Sequence, residues 1–370
     1  MTDWAKRLYP LLPVPWLGKR LIGGDCAVIL DAPLILYVFD WTLWSDDGAL
    51  LPVFRRYRHV HVYLLVAFSW HHEEARHIAR IPSLHARHQR RHPNHRVIYM
   101  ANTETLRQAL TEAGLRAVFM SHNALVDPNI YRPLDTDTRR FSAVYDARIS
   151  PFKRHHLASQ IQSLALLAAR SPRHHDEAYA RVVAERLPHA HWYNDPLARD
   201  YRSFQPAEVN QCLNECGVGL CLSAEEGAMF ASIQYLLAGL PVVSTESRGG
   251  RDVFFDPDYT CVVKDDPRSV REGVESMLQC PKPAGEIRAR TMEKMASHLD
   301  RLFGLLDEIQ LAEGRNLDLR PTLWQSGVGG GPSRVAPAAI FERIRQCARN
   351  TESPSPFDES EPMSGNAVRK

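Results

Sequence analysis

From residue 139 to residue 282 the sequence keeps returning to one unit: a short, unbroken apolar run followed by a stretch with helical spacing. FSAVYDA (141–147), VGLCLS (217–222), LPVVST (240–245) and TCVVK (260–264) are runs of strand length. They are continuous rather than alternating, which marks strands covered on both faces. The spacing predicts helices at 153–169, 176–186, 206–216, 228–238 and 267–279, with a further strand at 189–194. Strands separated by helices predict parallel βα units, because parallel neighbours need a crossover and a helix is its usual form.

The first third repeats the pattern less regularly. HVHVYLLVAFSW (59–70), RVIYMA (96–101) and AVFMS (117–121) read as strands, and CAVILDAP and LILYVFDW are two closely spaced runs before them. Helical stretches fall at 73–92, broken at Pro82, and at 103–113, ended by Gly114. The chain has 370 residues, enough for two domains at roughly 100–200 residues each. The expected organisation is a Rossmann-like domain over 1–138 and a second over 139–282. C-terminal helices follow over 283–349, a long amphipathic one at 285–312 and a short one at 337–348. The Ser/Pro/Glu tail 350–370 is expected to be disordered.

Composition narrows the partners. A net charge of +2 argues against nucleic acid. Seven scattered cysteines and no long apolar span fit a cytoplasmic protein. Cys212, Cys216 and Cys221 read as buried thiols, not a metal site. GVGGGP (327–332) lacks the strand and lysine of a phosphate loop. Residues 71–96 hold six Arg and seven His against two Glu. The stretch 73–96 is therefore a candidate contact with an anionic lipid surface, placing the chain peripherally at the inner face of the membrane.

Open α/β sheets bind ligands beyond the carboxyl ends of their strands. Arg148 and Lys153 follow the strand at 141–147, and a helix expected to start at 153 would set its N-terminus beside them, a seat for a diphosphate. Glu226 and Gly227 follow the strand ending at Leu222, just before another helix. Gly227 would let backbone approach a ligand, and Glu226 would accept hydrogen bonds from hydroxyls. His71 and His72 are expected to end the strand 59–70, and His122 the strand 117–121, so all three are candidate acceptor contacts on the opposite wall.

DARISPFKRHHLA resembles a G-R-L-x-x-x-K-G segment, with the same five-residue step from Arg148 to Lys153. LSAEEGAMFASIQYLLAGLPVVST is similar to a segment with two glutamates eight positions apart followed by L-x-x-G-x-P-V-V. SRGGRD is similar to the Gly-Gly loop that comes next, and SHNALVDPNIYRP to an N-G-V-D-x-x-x-F-x-P linker. These four stretches, in order over residues 121–252, resemble the retaining, family-4 type of GT-B glycosyltransferases.

The resemblance implies an α/β fold of two Rossmann-like domains facing across a cleft, and transfer of a sugar from a nucleotide-diphosphate donor to an acceptor hydroxyl with retention, as in glycan, glycolipid or glycoconjugate biosynthesis. It implies no cofactor and no metal. Arg148 and Lys153 would grip the diphosphate and Glu226 the donor sugar. Ser223, Gly227, Ala228, Met229 and Phe230 would complete the donor site. The family's second glutamate, a ribose ligand, falls on Gln234, a departure that replaces a carboxylate with an amide. An inactive GT-B binding module and a nucleotide-sugar 2-epimerase of the same fold are the alternatives. Asp135–Asp137 and Asp256–Asp258 spell D-x-D, a metal motif of another glycosyltransferase fold, in a linker and a turn here.

Overall fold

The computed structural model describes residues 24–44, 50–135, 139–170, 177–279, 281–320, 334–335 and 337–351. The Gly-rich run 327–332 and the tail beyond Thr351 lie outside them, as does Asp137.

The first sheet has the order β14-β1-β2-β3-β4-β5. Its strands are β1 (Gly24–Asp31), β2 (Leu34–Phe39), β3 (Val62–Ala67), β4 (His95–Ala101), β5 (Ala117–Phe119) and β14 (Arg334–Val335). The two closely spaced runs, β1 and β2, form an antiparallel hairpin, and β2 to β5 are parallel. Because β2 to β5 lie in chain order, every crossover steps the same way, and a fixed crossover hand puts all the connecting helices on one face.

That face carries α1 (Asp40–Trp44), α2 (Leu51–Arg56), α3 (Ala75–Ile78), α4 (Ile81–Arg91) and α5 (Glu104–Glu112). Val53, Phe54, Ile81, Leu106 and Leu110 pack there on Leu36, Leu64, Val66 and Val97. The alternate residues Ile35, Tyr37, Leu65, Ile98 and Met100 face the other way. Both faces are therefore buried, which explains the unbroken apolar runs.

The second sheet is parallel throughout, in the order β13-β11-β9-β6-β7-β8. The strands are β6 (Phe141–Arg148), β7 (Leu164–Ala169), β8 (His191–Trp192), β9 (Cys216–Cys221), β11 (Val242–Thr245) and β13 (Thr260–Val263). Order reverses between β6 and β9, the doubly wound switch. The parallel strands β2 to β5 of the first sheet run in chain order without one.

Helices α6 (Glu177–Arg186), α7 (Pro206–Asn214), α8 (Phe230–Leu237) and α9 (Pro267–Gln279) accompany it. The two-residue strands β10 (Glu225–Glu226) and β12 (Arg248–Gly249) pair separately, in parallel.

The helix expected over 153–169 does not form. Two 3₁₀ turns, Pro151–Lys153 and His155–Ala158, lead into β7 instead. LALLAA is rich in good helix formers, which is why propensity favours a helix. Burial between two neighbouring strands overrides it. Arg154, at φ 53°, breaks the backbone between the turns. Lys153 thus ends a turn and sits at no helix N-terminus.

The long helix α10 (Ala284–Ala312) joins the halves. Ile287 and Met295 enter the second core, while Leu302, Leu306 and Ile309 cover the open face of the first sheet. Arg288 on it donates to the carbonyls of Pro128, Tyr131 and Leu237, at 2.6–3.0 Å. The last helix, α11 (Pro337–Thr351), packs Ile340 and Ile344 into the first core, so Asn350 and Thr351 complete a helix rather than open the tail. Among the described residues no helix is long and apolar enough to cross a membrane.

Candidate functional site

The switch point brings the carboxyl ends of β6 and β9 together under the ends of β2, β3 and β5. Between them lies a cleft of about 880 Å³. Its upper wall is Phe39, Trp41, Ser69, Trp70 and His122. Its lower wall includes Asp146, Arg148, Lys153, Glu226, Phe230 and Gln234.

Lys153 and Glu226 meet in this cleft as an ion pair, each side chain 9% exposed. Both are held from behind. The Tyr145 hydroxyl donates to the Lys153 carbonyl at 2.5 Å, fixing the turn. The Lys153 ammonium lies 5.2 Å from the Phe152 ring, which meets Trp70 edge-on across the cleft. Glu226 is carried by the β10–β12 pair, where Gly249 takes φ 95°, a conformation open to glycine, and no Cβ fits against the Glu226 carbonyl. Arg148 ends β6 half-buried, with no hydrogen bond or ion pair among the described residues.

The start of α8 supplies the polarity that was expected at Lys153. Its N-cap, Met229, has no side-chain cap, and Ala228, Met229, Phe230 and Ala231 line the cleft. The first turn of the helix therefore borders the cleft, and the leading N–H groups of a helix lack intrahelical acceptors. Gln234, one turn on, donates to the Tyr131 hydroxyl at 3.0 Å and also lines the cleft.

Other expected site residues lie elsewhere. Ser223 is buried behind the cleft, its carbonyl accepting from Arg251 at 2.5 Å. Gly227 does allow a close backbone approach, but of the opposite domain. A Cβ there would come within 2.9 Å of the Ser69 carbonyl and the Trp70 nitrogen.

β3 ends at Ala67, so the cleft receives Ser69 and Trp70, while His71 and His72 turn away from it. His71 is buried in the seam between domains, its Nε2 3.0 Å from Glu225. Burial, then the Arg248 charge, hold its pKa below the usual imidazole value. His72 bonds Asp40 at 2.9 Å. His122 does line the cleft, between Phe39 and Phe230. Burial pushes its pKa down to about 4, so the ring is neutral at physiological pH.

The ligand atoms of His71, Glu74 and Glu225 lie within 4.8 Å of one another, a spacing that suits a cation. Arg248 already bridges both glutamates and supplies that positive charge. Asp256 and Asp258 pair with Lys294 and Arg290 on α10, a structural role. The thiols of Cys212, Cys216 and Cys221 are pushed up to about 12 by burial and are inert.

Two residues escape sequence reading. Arg251, in the loop read only for its glycines, is wholly buried. It donates to the carbonyls of Cys221, Ser223 and Thr245 and to Ser244 Oγ, at 2.5–3.0 Å. It thereby ties β9 to β11 beneath the loop that carries Glu226. Asp146 stands two residues before Arg148 on β6 and opens on the cleft. The period of two along a strand points to it once β6 is known to line the site.

No family model and no curated protein matches the sequence. Solved structures do match the fold. Sucrose-phosphate synthase from Thermosynechococcus elongatus superposes with a TM-score of 0.53 at 10% identity, over 75% of this chain and 74% of that one. TarM gives 0.51 at 14%, over 79% and 57%, so the chain spans little more than half of TarM. HepE from Anabaena, solved in complex with UDP, gives 0.50 at 13%, over 68% and 78%. These neighbours have the GT-B fold, and it is the fold of this chain.

Proposed function

We propose that this GT-B chain is a retaining glycosyltransferase, moving a sugar from a nucleotide-diphosphate donor to an acceptor hydroxyl. One observation carries the reading: Arg148, Lys153 and Glu226 converge at the switch point, beside the uncapped start of α8. Two cations and a helix N-terminus suit a diphosphate. A carboxylate held against Lys153 suits the hydroxyls of the sugar attached to it. HepE, on the same fold, binds UDP.

In this reading the acceptor oxygen bonds to the anomeric carbon as the bond from that carbon to the diphosphate oxygen breaks. The acceptor proton passes to the departing diphosphate on the same face. Arg148 and Lys153 stabilise the growing negative charge, which is the main electrostatic contribution and needs no metal. Glu226, neutralised by Lys153, orients the sugar rather than attacking it. The acceptor enters along the aromatic wall of Trp41 and Trp70.

Thermal unfolding with UDP, GDP, ADP, CMP and dTDP tests the donor half. One diphosphate is expected to stabilise by about 2.7 kcal/mol at 100 times its dissociation constant. In Arg148→Ala plus Lys153→Ala the shift should vanish relative to that variant's own baseline. Silence from every nucleotide would remove the reading.

The proposal extends to a peripheral contact with anionic membrane. His88 and His95 of the basic stretch are buried around Phe54, whereas Arg76, Arg80, Arg90 and Arg91 are exposed. Sedimentation with phosphatidylserine vesicles should retain the protein at low salt and release it as salt rises. Equal behaviour on neutral vesicles would rule the contact out.

A further inference from the structure

Every charged side chain of the cleft has a task in the proposed reaction except Asp146. Its backbone N–H is held by the Tyr235 hydroxyl at 2.7 Å, which fixes its place at the end of β6. Its carboxylate has no hydrogen-bond partner among the described residues and faces the cleft. It shares one face of β6 with Arg148, roughly 6.6 Å along the strand. Gln234 lines the same cleft, and the Tyr131 hydroxyl that accepts from it feels the Asp146 charge.

This is a directional pattern. An anion seated by Arg148 is repelled one step along the strand, so what lies over Asp146 must be a neutral group with donors to offer. A carboxylate accepts and does not donate, and its two oxygens match two neighbouring hydroxyls. In the proposed reaction Lys153 and Glu226 are engaged by the diphosphate and the transferred sugar. Asp146 and Gln234, which line the same cleft, are left for the nucleoside.

Resting on the proposed nucleotide-sugar reading, we propose that Asp146 binds the vicinal hydroxyls of the donor's ribose, supplying the carboxylate that the neighbouring amide of Gln234 does not. It sets the direction in which the nucleotide lies and selects ribose over deoxyribose. It is a specificity residue, and the sugar-transfer chemistry stays with Arg148, Lys153 and Glu226.

The environment fits a group kept for a ligand. Burial raises the Asp146 pKa to about 6, with Lys153 pulling it partly back. The titratable neighbours are Lys153 on its turn, Tyr131 before β6, Cys212 on α7, Tyr235 on α8 and Arg148 on the same strand. None of them hydrogen-bonds the carboxylate.

Calorimetric titration decides the matter, using UDP and ADP, their 2′,3′-dideoxy forms, and inorganic pyrophosphate. Hydrogen bonds to a charged group predict that the wild-type protein prefers the ribose form by about 10- to 100-fold. Asp146→Asn should shrink that ratio to below about 3-fold, with pyrophosphate bound as well as before or better. Arg148→Ala should weaken ribose and dideoxy forms alike. Adding Gln234→Glu to Asp146→Asn should restore part of the preference. The wild-type ratio should fall as pH drops below about 6, and the phosphate's own titration cancels in the ratio.

An unchanged ratio in Asp146→Asn overturns the assignment while leaving the donor reading intact. So does a loss of turnover with the ratio preserved, which would place Asp146 at the sugar. If neither nucleotide nor pyrophosphate binds the wild-type protein, the donor reading itself fails and takes the assignment with it.

Discussion

Lys153→Ala is expected to lower turnover by about 10²- to 10³-fold and to destabilise the fold by about 3–5 kcal/mol. The two effects have different causes. Turnover falls because a cation facing the leaving diphosphate is gone. Stability falls because Glu226, 7% exposed, is left as a buried charge without its partner. A buried pair contributes little net stability, but half of one is costly. Lys153→Met with Glu226→Gln should therefore recover most of the stability and none of the turnover. Urea unfolding of the two variants beside a transfer assay separates the causes. A Lys153→Ala protein as stable as wild type would show that the pair opens to water and that its geometry here is not the working one.

Arg251→Met is expected to destabilise by about 4 kcal/mol or more, although Arg251 touches no part of the cleft. The guanidinium reaches the last carbonyls of β9 and β11, and Asp252 accepts from its Nε at 2.6 Å. Removing it leaves the carbonyls of Cys221, Ser223 and Thr245 buried without that donor, each worth about 1–3 kcal/mol if left unsatisfied. Arg251→Lys should not rescue the fold, because one ammonium cannot span both strand ends as the planar fork does. Hydrogen exchange in Arg251→Lys should rise first over 222–227, the loop that presents Glu226. A lysine variant within about 1 kcal/mol of wild type would contradict the bracing role.

Arg148, Lys153 and Glu226 of the lower wall stand out in the sequence, whereas Asp146 beside them and the buried Arg251 beneath do not. Arg148, Lys153 and Glu226 line one cleft. Lys153 itself sits at no helix N-terminus. The helix N-terminus that favours an anion is at Phe230, and the chain after Lys153 becomes β7. Leu and Ala suit a helix and a doubly covered strand equally well in composition, so only the neighbours β6 and β8 decide.

The upper wall was illegible for a related reason. An apolar run does not mark its own last residue. Ending β3 at Ala67 rather than at Trp70 moves the cleft contact from His71 and His72 to Ser69 and Trp70. His71 found its partner, Glu225, 154 residues away, and Arg251 found its acceptors on two different strands. No local pattern encodes such pairs.

Sequence alone pointed to two α/β sheets with both faces covered, because unbroken apolar runs alternating with helical segments fit buried parallel strands. It also determined which basic and acidic residues follow the strands of the second sheet. The tertiary structure alone decided the strand order and hence the switch point between β6 and β9, the covering of the first sheet by a helix from the far end of the chain, and the place of Asp146 in the cleft. Those depend on which surfaces meet across long separations, and the free energy of that meeting resides in no single segment.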